Sequence, residues 1–125
     1  MAARLSAGNL AILHNFGTPL GNIGVDPSSS LVAGPDGTLY GTVSRGGLHD
    51  AGVVYSLQTN GESFPIWNFT GNADGTYPAS ELVLCRNTLY GTSEGYDAGT
   101  NFGTVFKVNT EATAMGLCFP SKPMG

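Results

Sequence analysis

Residues 39–42 of this chain read LYGT, and the same four residues return unchanged at positions 89–92. Three further pairs of segments surround this motif in the same order. The stretch 27–32 corresponds to 78–83, GVVYSL at 52–57 corresponds to GTVFKV at 103–108, and LHNF at 13–16 corresponds to IWNF at 66–69. Four matching segments in one order identify an internal repeat of about fifty residues.

Each repeated segment has the composition of a β-strand, because β-branched and aromatic residues alternate with polar ones between turn-forming Gly, Asn and Asp residues. In the first copy, a Pro-Asp-Gly turn and a Thr-Asn-Gly turn separate strands that we predict at residues 30–33, 38–44, 53–58 and 64–69. No useful window has a helical period. Four antiparallel strands in about fifty residues, repeated, predict an all-β fold made of β-propeller blades.

Composition agrees with short strands joined by tight turns and excludes some functions. The chain has 125 residues, of which 19 are glycines and only 11% are charged. Its net charge is −4. The absence of any cluster of Lys or Arg argues against nucleic-acid binding. No apolar run approaches the ~20 residues of a membrane helix. The N-terminus is too short and too polar for a signal peptide, so we expect the product to stay where it is made.

The repeat resembles that of the bacterial GloVer tandem-repeat proteins, whose unit looks like L-x-x-F…DG…P…L…DG-x-LYGT…GG…G-T-V-F-K. The matching residues here are Phe16, Phe69, Asp74-Gly75, Pro78, Asp36-Gly37, both LYGT motifs, Gly46-Gly47 and residues 103–107. The resemblance covers about residues 10 to 110 and implies a propeller-like fold in larger secreted or surface-exposed proteins. It implies no chemistry. The chain looks like a two-repeat fragment of a longer array.

About two four-stranded blades per chain predict self-assembly. We divide the chain into an N-terminal extension (1–9), a strand that closes a neighbouring blade (10–16), a first blade (27–69), an incomplete second blade (78–109) and a divergent tail (110–125). A blade buries both faces against neighbours, so a lone pair exposes apolar faces and strand edges. We therefore expect a homo-oligomeric ring, a trimer first and a tetramer next. The tail at 114–119 competes with residues 10–16 for the fourth strand position.

In a propeller, the loops that enter the inner strand and those that join the second and third strands share one face. His49 and Asp50 are the candidate catalytic pair, and Asp97 joins them as a candidate metal ligand for Ca²⁺ or Zn²⁺. The candidate binding residues are Asp26, Arg45, Asp74, Tyr77, Glu94 and Tyr96. The alternative is that such loop residues form turns, which is the better explanation for Asp36 and Asp74.

Two functional interpretations stay open. The first is a self-assembling repeat protein with a structural or binding role, whose ligand is a small molecule or a carbohydrate held by aromatic residues such as Trp67. The second is a metal-dependent hydrolase of the lactonase or phosphotriesterase kind, with a metal that polarises an ester and activates water. His14 aligns with Trp67 on an outer strand, which favours packing. Cys85 and Cys118 fit no metal or redox spacing, and two unpaired thiols are favoured over a disulfide.

Overall fold

The repeated segments form strands in the computed structural model, which describes residues 8–17, 23–95 and 102–110. The strands are β1 (Val25–Pro27), β2 (Val32–Ala33), β3 (Leu39–Arg45), β4 (Val53–Leu57), β5 (Ser63–Asn68), β6 (Thr76–Pro78), β7 (Val83–Cys85), β8 (Thr88–Glu94) and β9 (Gly103–Asn109). These ranges contain no helix, which confirms the all-β class, and therefore no helix long and apolar enough to cross a membrane.

The strands form two antiparallel sheets, one for each copy of the repeat. In the first sheet (β1–β5), β3 pairs with β4 and β4 with β5, while β1 and β2 share the other side of β3. This confirms the predicted meander and adds β1, a short strand that the sequence did not indicate. In the second sheet (β6–β9), β8 pairs with β6, β7 and β9. The sheets do not close into a ring, so the propeller and its oligomeric state stay predictions.

Alternation along the strands gives the first sheet two buried faces. One face packs against the second sheet in an inter-sheet core made of Tyr40, Ala51, Val54, Phe69, Leu82 and Leu89. The opposite face carries an outer core made of Ile23, Val43, Val53, Tyr55 and Leu57, on which Leu13 and Phe16 pack. The N-terminal residues 10–16 thus contact the side of the first sheet that faces away from the second sheet.

Cys85, at the end of β7, is disulfide-bonded. The interpretation favoured from the sequence, two unpaired thiols, is therefore wrong for Cys85. The sequence contains one other cysteine, Cys118, which lies outside the described residues.

Candidate functional site

In the first sheet, the loop between β3 and β4 gathers predicted site residues. Arg45 ends β3 opposite Val25, which places Asp26 beside it. The guanidinium of Arg45 lies 3.9 Å from the carboxylate of Asp50, but both side chains are well exposed. An exposed ion pair contributes little to stability. Asp50 also accepts a hydrogen bond from the Gly46 amide at 2.8 Å, so its carboxylate helps to hold the loop.

The second sheet adds residues at the same end. Glu94 ends β8 opposite Thr76, the neighbour of Tyr77. The amide of Tyr77 donates a hydrogen bond of 2.9 Å to the carbonyl of Ala51. This bond joins β6 to the loop between β3 and β4 of the first sheet. Six predicted residues therefore share one end of the two sheets, a region we call the loop face: Asp26, Arg45, His49, Asp50, Tyr77 and Glu94. Tyr96 and Asp97 lie outside the described residues.

Asp26 and Tyr77 have the same unusual backbone conformation at matching positions of the repeat. Their φ angles are 59° and 52°, and each residue directly precedes a proline, Pro27 or Pro78. A left-handed conformation costs a non-glycine residue about 1 kcal/mol or more, and the surrounding structure must enforce it. In the second sheet the register shifts between Thr76 and Pro78, so the strand bulges at Tyr77. Backbone geometry thus sets the direction of both side chains.

Asp74 stabilises the connection between the two sheets by hydrogen bonds. Its carboxylate accepts hydrogen bonds from Trp67 Nε1 at 3.1 Å and from the Thr70 amide at 3.0 Å, and the Thr70 hydroxyl also contacts it. Burial raises the pKa of Asp74, but the hydrogen bonds from the Thr70 side chain and backbone and from Trp67 outweigh it and lower the pKa below 3.8. Asp74 therefore has the turn role that its Asp-Gly pair indicates.

A cavity of about 450 Å³ opens between the two sheets along β9, and we call it the inter-sheet groove. The first sheet lines it with Val54, Trp67 and Phe69, and the connecting loop adds Ala73 and Asp74. The second sheet lines it with β9 from Thr104 to Asn109. Sequence reasoning singled out Trp67 but not the β9 residues. The sequence signal for them was the second copy of the repeat, in which no segment matching LHNF or IWNF follows residues 103–108.

Matching residues of the two sheets differ sharply in exposure. Tyr40 is 4% exposed and Tyr90 is 40% exposed, although both belong to LYGT. Val54 is fully buried, whereas Val105 is 82% exposed. The second sheet covers Tyr40 and Val54. No described residue covers Tyr90 and Val105 in the same way. Tyr40 therefore packs in the inter-sheet core, while Tyr90 lies on an open face.

Within the three described ranges, no group of three or more His, Cys, Asp or Glu side chains is placed to hold a metal ion. His49 is exposed in the loop between β3 and β4, where it is flanked by Leu48 and Asp50. Because Asp97 lies outside those ranges, the metal site formed by His49, Asp50 and Asp97 stays a prediction.

The sequence pattern of the Gloeobacter/Verrucomicrobia repeat matches residues 2–119, nearly the whole chain. The chain belongs to this repeat family. The GloVer resemblance drawn from the LYGT motifs is thereby confirmed. No curated protein and no solved structure matches the chain. Membership in the Gloeobacter/Verrucomicrobia repeat family accounts for the two similar sheets and assigns no ligand.

Proposed function

We propose that this chain is a propeller-building repeat protein with a structural or binding role, which completes its fold by associating with copies of itself. The observation that carries the proposal is the open face of the second sheet. Val83, Tyr90 and Val105 on that face are 49%, 40% and 82% exposed. Val83 lies directly opposite Tyr90, and large apolar side chains left exposed on one face of a sheet favour an interaction site there.

The first sheet indicates what covers such a face. Its matching residues Val32, Tyr40 and Val54 pack in the inter-sheet core, against the next sheet along the chain. The same packing repeated between chains places the second sheet of one copy against the outer core of the first sheet of another. Such a head-to-tail contact gives a closed ring when the rotation closes. Two blades per chain suit a trimer first and a tetramer next, within the usual 4–8 blades.

In a ring, the loop face of every copy points toward one end of the assembly. Arg45, Asp50 and Glu94 of each chain then recur around the axis, and we place the ligand site there. Exposed charged and aromatic groups at this face suit a small polar molecule or a carbohydrate, and repetition increases avidity. Metal-dependent hydrolysis at His49 and Asp50 is the alternative carried from the sequence, and its first requirement is a bound Ca²⁺ or Zn²⁺.

Solution mass by light scattering tests the assembly, on native and chelator-treated protein with metal content measured in parallel. We expect a discrete mass of three or four chains. Val105→Asp should lower this mass because it puts a charge on the open face, and Leu48→Asp should not, since Leu48 is 76% exposed in a loop. A monomer at all concentrations overturns the proposal. A ring that holds no metal leaves the assembly standing and directs the ligand search to sugars.

A further inference from the structure

Two aromatic pairs in this chain have the same geometry. Phe16 packs edge-on against Tyr55, with ring centroids 5.5 Å apart and an interplanar angle of 70°. Phe69 packs edge-on against Phe106, with centroids 5.1 Å apart and an angle of 69°. In the repeat, Phe16 matches Phe69 and Tyr55 matches Phe106. Residues 10–16 therefore pack on the first sheet as the β5 region packs on the second sheet.

This likeness shows which strand position residues 10–16 occupy. β5 is the outer strand of the first sheet, where it pairs with β4, and Phe69 just beyond it packs on the following sheet. Residues 10–16 have the position of an outer strand in a sheet that precedes the first one. The part of the chain that the structure describes contains no such preceding sheet, and residues 10–16 belong to none of its strands. The sheet that they would complete must come from elsewhere.

The second sheet offers the complementary position. β4 has β5 on its outer side, whereas β9 pairs with β8 and, among the described strands, with no other. The inter-sheet groove runs along that side of β9. Val105 in β9 is 82% exposed, although its counterpart Val54 is fully buried. The groove has the place, the length and the apolar lining of a missing fourth strand.

We propose that residues 10–16 of a second copy of the chain insert into the inter-sheet groove as the outer strand of the second sheet, antiparallel to β9. The inference rests on the self-association proposed above and names the segment that makes the contact. The register follows from β4 and β5, where Val54, Tyr55 and Leu57 lie opposite Trp67, Pro65 and Ser63. Transferred through the repeat, it places Val105, Phe106 and Val108 opposite His14, Ile12 and Leu10 of the incoming copy.

The side chains of residues 10–16 fit this arrangement on both faces. Leu13 and Phe16 already pack on the outer core of their own chain. Leu10 and Ile12 are 87% and 64% exposed in the single chain. In the proposed register these two residues turn toward the groove and cover apolar residues of β9. Residues 10–16 thereby contact both the outer core of their own chain and the inter-sheet groove of the neighbouring copy. This contact links one copy to the next around the assembly.

Disulfide trapping between two different copies tests the register. A His14→Cys chain and a Val105→Cys chain are mixed and oxidised with oxidised glutathione, and the products are separated without reducing agent. We expect a linked pair of chains, since directly opposed residues on antiparallel strands have Cβ atoms about 5 Å apart. His14→Cys mixed with Lys107→Cys is the shifted control and should link far less. Wild-type protein reports any background from exchange with the chain's own cysteines, Cys85 and Cys118.

The outcomes separate this inference from the proposed function. An oligomeric mass without a His14–Val105 link overturns the strand insertion and leaves self-association standing, with the chain's own residues 114–119 as the next occupant to test. A stronger link to Lys107 than to Val105 overturns the register. A monomeric mass removes the basis of both proposals.

Fluorescence gives a second readout that needs no cysteine, because Trp67 lines the groove and is the one tryptophan of the sequence. Strand insertion should shift its emission to shorter wavelength as protein concentration rises. Ile12→Asp should abolish this shift and lower the mass, without loss of the β-sheet circular dichroism, because Ile12 is already exposed. Leu48→Asp should behave as wild type. An Ile12→Asp protein with unchanged mass and emission overturns the proposal.

Discussion

The ring of Phe106 lies over Gly91, its direct partner on the neighbouring strand, so closely that a Cβ at Gly91 would stand 2.6 Å from Cζ. Gly41 and Tyr55 have the same relationship in the first sheet, where the Cβ would stand 2.6 Å from the Tyr55 hydroxyl. Neither glycine is needed for a positive φ. The glycine of LYGT is required because an aromatic ring from the next strand fills the space above it.

Gly91→Ala should therefore destabilise the chain by about 1–3 kcal/mol, since the added methyl group overpacks the inter-sheet core. Urea unfolding measures the change. Phe106→Leu removes most of the ring and should relieve the closest contact, while Leu82 Cδ2, 2.9 Å from the added Cβ, stays in place. The double variant should therefore be more stable than the sum of the single changes predicts. Additive effects would show that the ring does not determine the glycine.

Thr42→Val should stabilise the chain by up to about 1 kcal/mol. The hydroxyl oxygen of Thr42 is buried and has no hydrogen-bond partner among the described residues, and burial without a partner is unfavourable. Valine keeps the shape and removes the unpaired group. Thr92→Val is the matched control from the second LYGT, where the side chain is exposed, and it should change the free energy of unfolding by less than about 0.5 kcal/mol. Equal effects at the two positions would contradict this account.

Asp74→Asn should lower stability by about 1 kcal/mol at neutral pH, a modest value because the carboxylate is only half-buried. The pKa of Asp74 is lower in the folded chain than its ordinary value of 3.8. Its contribution is therefore complete above pH 4 and is lost as the pH falls toward the folded-state pKa. Trp67, which donates to this carboxylate, reports the transition by fluorescence. An Asp74→Asn protein with the same acid transition as wild type would contradict the assignment.

Phe16→Ala should cost about 1 kcal/mol, because the residue is half-buried and loses an edge-on contact with Tyr55. Phe69→Ala removes the matching ring from a fully enclosed position, 1% exposed, and should cost about 3–5 kcal/mol. Urea unfolding at low protein concentration compares the two. A larger loss for Phe16 than for Phe69 would show that residues 10–16 contribute more to the single chain than their packing indicates.

At alkaline pH, stability should fall as Tyr55 is forced to ionise. Burial raises the pKa of Tyr55 above its ordinary value of 10.0. The unfolded chain then ionises first, so the contribution of Tyr55 is complete below pH 10 and is lost as the pH rises toward the folded-state pKa. Tyr55→Phe should weaken this alkaline loss, measured by urea unfolding at pH 8 and above pH 10. Tyr90→Phe, at an exposed tyrosine, is the control and should leave the loss unchanged.

The type of a residue alone does not determine its role in the candidate site. Asp74 and Glu94 are both carboxylate residues that the sequence predicts as binding residues. Hydrogen bonds from Trp67 and Thr70 hold Asp74 in the connection between the sheets, whereas Glu94 lies at the loop face. The groove could not be derived from any single motif, because its two walls come from segments about forty residues apart that meet only when the sheets pack.

The sequence by itself determined the repeat, the all-β class and the order of the four strands from β2 to β5, because alternation and turn residues act over a few neighbouring positions. It also predicted residues 10–16 as an outer strand, which stays a prediction because the described residues 8–17 contain no strand. Only the tertiary structure decided which of two identical motifs is covered. Tyr40 and Tyr90 have the same local sequence, yet one is buried and the other exposed. Burial depends on which sheet lies beyond each residue, and no local pattern encodes that neighbour.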